Sequence, residues 1–249
     1  MTPSSGNTAP TRTAPTNVAT CDNWKPSSRS WCEPVTRLIL VRHGESQVTV
    51  KRLVGGPRSC VGLSDLGRVQ AERLRDRWAA HSEIEADAVY ASHYPRARET
   101  GDIVLPALGH AEIVIEAGFG EHDPGPICDG LSYDEFERRF GDPDWENDPH
   151  GETFPGGESI AAFQLRVGDA VRGLIERHPG GRIVVFCHGG VIDTVLRQSL
   201  RTSGTGIFEI WTKNTSITEV ELVKPGRWRL IRYNDAAHLA GLPASTNAH

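Results

Sequence analysis

Two short apolar runs in the sequence end alike. Leu38-Ile39-Leu40-Val41 leads into Arg42-His43-Gly44, and Ile183-Val184-Val185-Phe186 leads into Cys187-His188-Gly189-Gly190. Each sets an imidazole directly after a strand-like segment and follows it with glycine, which lets the backbone approach a ligand closely. A lone histidine in such a place is ordinarily a hydrogen-bonded structural residue, but two matching turns favour a functional role. A third junction, Tyr90-Ala91-Ser92-His93-Tyr94-Pro95-Arg96, brings a guanidinium to the start of a helix, where the dipole also favours an anion. Taken alone Arg96 reads as a surface arginine; with Arg42 it gives two forked donors beside two histidines, a cage for a tetrahedral dianion. Glu116 follows Ile113-Val114-Ile115 and can reach the same crevice, although by itself it reads as a solvated charge at a strand end.

Other chemistries are excluded by spacing. None of Cys21, Cys32, Cys60, Cys128 and Cys187 has an arginine six positions later, as a cysteine phosphatase loop requires. The sequence also has no G-x-x-x-x-G-K-[ST], no H-E-x-x-H, no G-x-S-x-G and no G-x-G-x-x-G after a strand. No Cys/His arrangement has zinc spacing.

The elements that must hold these residues alternate between strand and helix. Ser64 is an N-cap for a helix to about Ala80, and Ala86–Tyr90 reads as the next strand. Pro95 opens a helix toward Leu105, and Ile113–Ile115 reads as a third buried strand. A loop-rich stretch from Gly118 to Gly157 holds a short helix at Tyr133–Phe140. Ile160, Phe163, Val167, Val171 and Leu174 then mark a helix from Ser159 to His178. Val191–Leu200 is a further helix, and Ser216–Val223 with Trp228–Tyr233 form a hairpin about Lys224-Pro225-Gly226. This pattern predicts a three-layer α/β/α sandwich with a mostly parallel central sheet and an antiparallel edge. Ligands of such sheets sit beyond the carboxyl ends of the strands, where the histidine turns lie.

The 249 residues carry a net charge of −5, so no global field attracts nucleic acid or an anionic membrane, and an anion must be held by a local basic cluster. Lysine occurs only at Lys25, Lys51, Lys213 and Lys224, leaving arginine as the main cation. No apolar stretch approaches the length of a membrane span. Five widely spaced cysteines without a C-x-x-C pair fit a reducing cytoplasm. Residues 1–34, rich in Thr, Ser, Pro and Asn, read as a disordered tail; the domain occupies 35–235, and 236–249 read as a C-terminal tail.

Leu40-Val41-Arg42-His43-Gly44-Glu45-Ser46 resembles the signature of the histidine phosphatase superfamily, the phosphoglycerate mutase-like fold. Leu63-Ser64-Asp65-Leu66-Gly67, the segment Ser92–Thr100, Pro155-Gly156-Gly157-Glu158-Ser159 and His188-Gly189-Gly190 extend the resemblance in family order from Thr36 to Tyr233. It implies His43 as a nucleophile that becomes phosphohistidine, Arg42, Arg96, His188 and Gly189 around the phosphoryl group, and no cofactor or metal. It also implies Glu116 as general acid/base, because Glu116-Ala117-Gly118-Phe119-Gly120 matches the family's E-x-x-[aromatic]-G, whereas Glu121 lies after that glycine. The sequence departs from the family at Val48, Thr49 and His122-Asp123-Pro124-Gly125. A phosphomonoesterase acting on a small phosphorylated molecule is expected. A phosphomutase is the alternative, disfavoured by the short interval from Glu116 to Gly156, and a non-catalytic phosphate-binding module is the other.

Overall fold

The computed structural model describes residues 35–246 apart from Ala111, Glu146 and Ile207; the expected N-terminal tail lies outside the described residues. Six strands form one sheet: β1 (Thr36–Arg42), β2 (Ala88–Ala91), β3 (Val114–Ile115), β4 (Arg182–Cys187), β5 (Ile217–Lys224) and β6 (Arg227–Asp235), in the order β3-β2-β4-β1-β5-β6. β1, β2, β3 and β4 run parallel, while β5 and β6 form the antiparallel edge. The helices are α1 (Gln47–Val50), α2 (Asp65–His81), α3 (Pro95–Val104), α4 (Gly125–Cys128), α5 (Tyr133–Phe140), α6 (Ile160–Arg177) and α7 (Gly189–Leu200).

The continuous apolar runs of β1 and β4 follow from cover on both faces. Successive side chains of β1 alternate: Leu38 and Leu40 pack with Phe163, Val167 and Leu174 of α6 and Ile192 of α7. Ile39 and Val41 pack with Leu74 and Trp78 of α2 and Val104 of α3. At roughly 1.5–3 kcal/mol per fully buried large side chain, these two layers dominate the stability of the sheet. Ser64 and Ser159 cap α2 and α6 by accepting from the amides of Gly67 and Ala162.

The register decides where the chemistry falls. Arg42 pairs with Cys187 at the carboxyl ends of β1 and β4, so His43 and His188 leave the sheet side by side. The His43 amide continues the ladder by donating to the Cys187 carbonyl at 2.9 Å. The turn after β1 presses against the first turn of α2: a Cβ at Gly67 would lie 2.0 Å from the Glu45 carbonyl oxygen, and one at Gly44 would lie 2.5 Å from that of Gly67. Both positions therefore require glycine.

Two readings of the chain are corrected. β3 is two residues long, and Val114 and Ile115 are about half exposed, because the strand lies at the sheet edge with β2 as its one neighbour. The segment after residue 235 is not a free tail over its described length. A 3-10 turn at Ala237–Leu239 brings His238 to Thr215, and Thr246 donates from its amide and hydroxyl to the buried Glu45 carboxylate at 2.7 and 3.0 Å. No helix among the described residues is long and apolar enough to cross a membrane.

Candidate active site

The two strand-end histidines meet. Their ring centroids are 5.0 Å apart at 64°, and both rings are buried. His43 Nδ1 lies 2.6 Å from the Gly44 carbonyl oxygen. A carbonyl can only accept, so Nδ1 carries the proton and Nε2 presents its lone pair. Arg96 Nε donates to that lone pair at 3.1 Å and to His188 Nδ1 at 3.3 Å. In this tautomer His188 Nε2 donates to Ser92 Oγ, 2.8 Å away. Burial pushes both imidazoles well below the ordinary histidine pKa, and Arg96 pushes each further down, so both rings are neutral.

Arg96 comes from the first turn of α3, where Pro95 occupies the position that needs no amide proton. Its guanidinium sits 4.5 Å over the Tyr94 ring. Arg42 donates to the Thr212 carbonyl, while its Nε, also buried, has no hydrogen-bond partner. Burial lowers the Arg42 pKa and the Glu121 carboxylate opposes that effect. Gly189 begins α7 against this guanidinium: a Cβ there would sit 3.6 Å from Arg42 Nε. A helix N-terminus, two guanidiniums and two neutral imidazoles thus converge on one point, which suits a tetrahedral oxyanion.

Glu116 does not join them. It caps the 3-10 turn Ala117–Phe119 through the Gly118 amide and pairs with Arg177 at 3.1 Å, lining a separate crevice of about 510 Å³. Glu121 lines the same cleft as His43, Arg42 and Arg96, with a volume of about 1030 Å³. Its Oε1 accepts from the His122 amide at 3.0 Å and its Oε2 from the Gly190 amide at 3.2 Å. The physical reason lies on α6. Arg166 grips the carbonyls of Gly118, Gly120 and Glu121, whereas Glu116 is tied to Arg177, eleven residues and about 16 Å further along the helix axis.

The sequence from residue 38 to 236 matches the histidine phosphatase superfamily (branch 1). The chain belongs to this superfamily. It is 31% identical over 209 residues to phosphoglycerate mutase-like protein 4 of Arabidopsis thaliana, covering 81% of this chain and 86% of that protein. The metal-independent phosphoserine phosphatase of the same plant is 26% identical over 213 residues, 84% and 85% of the two chains. The solved structure of Bacillus stearothermophilus YhfR superposes with a TM-score of 0.68 at 26% identity, over 82% of this chain and 99% of the other.

Within this histidine phosphatase fold, residues beyond the strand-end motifs also hold the site. Asn214, ahead of β5, donates from Nδ2 to the His43 carbonyl at 2.9 Å, and the Thr215 amide donates to the Arg42 carbonyl at 2.9 Å. Thr100 Oγ1 accepts from the Gly44 amide and donates to the Arg96 carbonyl, linking the His43 turn to α3. Asn214 and Arg166 stand in a loop and on a mixed helix face, where no sequence period marks them. Glu121 had one signal: like Glu116, it stands four residues before a glycine, Gly125.

Proposed function

We propose that the protein is a phosphomonoester hydrolase that works through a phosphohistidine on His43, with Glu121 as its general acid and base. The observation that carries this reading is the fixed tautomer of His43, whose lone pair at Nε2 faces the Arg96 guanidinium. Arg96 Nε–H and the free Arg42 Nε–H are donors that a phosphoryl group can take over on binding. Offsetting the dianion's charge lets a neutral imidazole attack phosphorus. The alcohol leaves with a proton from Glu121. The same carboxylate, now ionised, then takes a proton from the water that attacks the phosphohistidine, releasing inorganic phosphate and restoring His43. His188 holds the Arg96 guanidinium in place through its Nδ1 lone pair, and the N-terminus of α7 faces the transferring oxygens.

The phosphatase named among the relatives supports hydrolysis, and a small phosphorylated molecule is the substrate this cleft suits, not nucleic acid or a membrane. Buried, unpaired Cys60, Cys128 and Cys187 agree with a cytoplasmic setting. The scheme needs no metal ion or cofactor, so turnover of p-nitrophenyl phosphate should persist in EDTA. Rapid quench with ³²P-labelled substrate should trap an acid-labile, base-stable phosphoryl group on His43. Hydrolysis without any label on His43 would mean direct attack by water.

A further inference from the structure

Beyond the phosphoryl end, the cleft changes character. His122, next in the chain to Glu121, sits among Trp145, Phe154 and Phe163 with ring centroids at 5.6, 5.8 and 5.6 Å. All four rings line the cleft. Trp145 and Phe154 also meet edge to face at 5.5 Å. Neither His122 ring nitrogen makes a hydrogen bond of ordinary geometry, although both are buried. Burial lowers the pKa of this imidazole against the opposing pull of Glu121, Glu158 and the Glu158 backbone. It is therefore a neutral ring.

Most of the other charged groups that line the cleft are negative. Glu137, Asp142, Asp193 and Glu209 line the cleft together with Arg197. That guanidinium is already consumed: its Nε pairs with Asp193 at 2.7 Å, and its other nitrogens donate to the Ser203 and Phe208 carbonyls. Apart from Arg42 and Arg96, no described cation of the lining is free to meet a second anionic group.

We infer that the substrate's alcohol half is a flat aromatic or heteroaromatic group without a second negative charge, packed against the aromatic wall of His122, Trp145, Phe154 and Phe163. This rests on the hydrolase reading above. Edge-to-face and offset contacts with these rings reward an aromatic body. The carboxylates reject a phosphoglycerate-like alcohol half by repulsion and by leaving its anion unpaired. The wall thus selects against the substrate that a phosphoglycerate mutase must hold.

The test compares three esters of alkyl alcohols: 1-naphthylmethyl phosphate, sn-glycerol 3-phosphate and 3-phosphoglycerate. The expected kcat/KM for the naphthylmethyl ester is about tenfold or more above that for glycerol 3-phosphate, with 3-phosphoglycerate the poorest. Trp145→Ala, at a half-exposed site, should bring the ratio of the first two close to one. Equal or better use of 3-phosphoglycerate overturns the inference, as does a ratio that Trp145→Ala leaves unchanged. Calorimetry with naphthylmethyl phosphonate and 3-phosphonopropionate separates this from the hydrolase reading. If no ester is turned over, selective binding of the aryl phosphonate upholds the pocket while hydrolysis falls, and equal or absent binding of the two overturns the pocket itself.

Discussion

Replacing Glu121 by Gln isolates the proton that the leaving alcohol needs. The amide keeps one oxygen for one of the two backbone donors, His122 N or Gly190 N, and turns its NH2 toward the other. Losing one such bond costs about 1 kcal/mol, or about fivefold in rate, whichever ester is used. The loss of general acid catalysis adds to this only where the alcohol leaves badly, and brings the total to about 10²–10⁴-fold, or ~3–5 kcal/mol. The assay is the pre-steady-state release of alcohol, which reports the first half-reaction before Glu121 acts as base on water. Alkyl phosphates should lose the full factor, and p-nitrophenyl phosphate about the fivefold structural part. Glu116→Gln breaks only the partly exposed pair with Arg177. It should change either rate by less than about twofold and stability by at most ~1 kcal/mol. A leaving-group-dependent loss in Glu116→Gln, with none in Glu121→Gln, would refute this assignment. A uniform loss in Glu121→Gln would give that residue a role in binding or in activating water instead.

Arg96→Ala should lose about 2–4 kcal/mol of transition-state stabilisation, read as kcat/KM, with partial recovery in Arg96→Lys; full activity in the alanine variant would reduce Arg96 to a structural residue. Stability should depend on the buried histidines with a definite sign. Both His43 and His188 are held below the ordinary value of about 6.5, so below that pH the unfolded chain binds more protons than the folded one. Their contribution is fully present above pH ~6.5 and is lost as the pH falls, so the denaturant midpoint should drop from pH 7 to 5, less steeply in His188→Asn; a midpoint that rises on acidification contradicts the buried neutral pair.

The phosphoryl end of the site was legible in the sequence because each of its residues follows directly from an element whose own pattern is strong. β1 and β4 are buried on both faces and read as continuous apolar runs, so the residues after them, His43 and His188, are placed by the strand ends. Pro95 marks the start of α3, and Arg96 is placed by that start. The proposed acid, Glu121, was not legible, since it stands on a loop after a two-residue edge strand and no hydrophobic period fixes its register. Phe119, which pointed the family pattern to Glu116, is fully buried among Phe163, Val167 and the strands of one face. Its aromatic character answers a packing need and carries no information about which neighbouring carboxylate faces the cleft.

What fixes Glu121 is long-range. Phe119 anchors the loop from Ala117 to Glu121 in the core, but the loop's carbonyls still need donors. Arg166 supplies them from α6, donating to the Gly118, Gly120 and Glu121 oxygens at 3.0, 3.1 and 3.3 Å while its other edge pairs with Glu158. Glu158 is itself held where its amide donates to the Asp123 carbonyl, just beyond His122. One guanidinium therefore sets the backbone on which both Glu121 and the first ring of the aromatic wall are mounted. The Gly157-Glu158-Ser159 segment caps α6 and orients its arginine in the same stroke. The acid's position is thus a property of the packed α6 and its loop together, which local spacing around Glu116 or Glu121 cannot express.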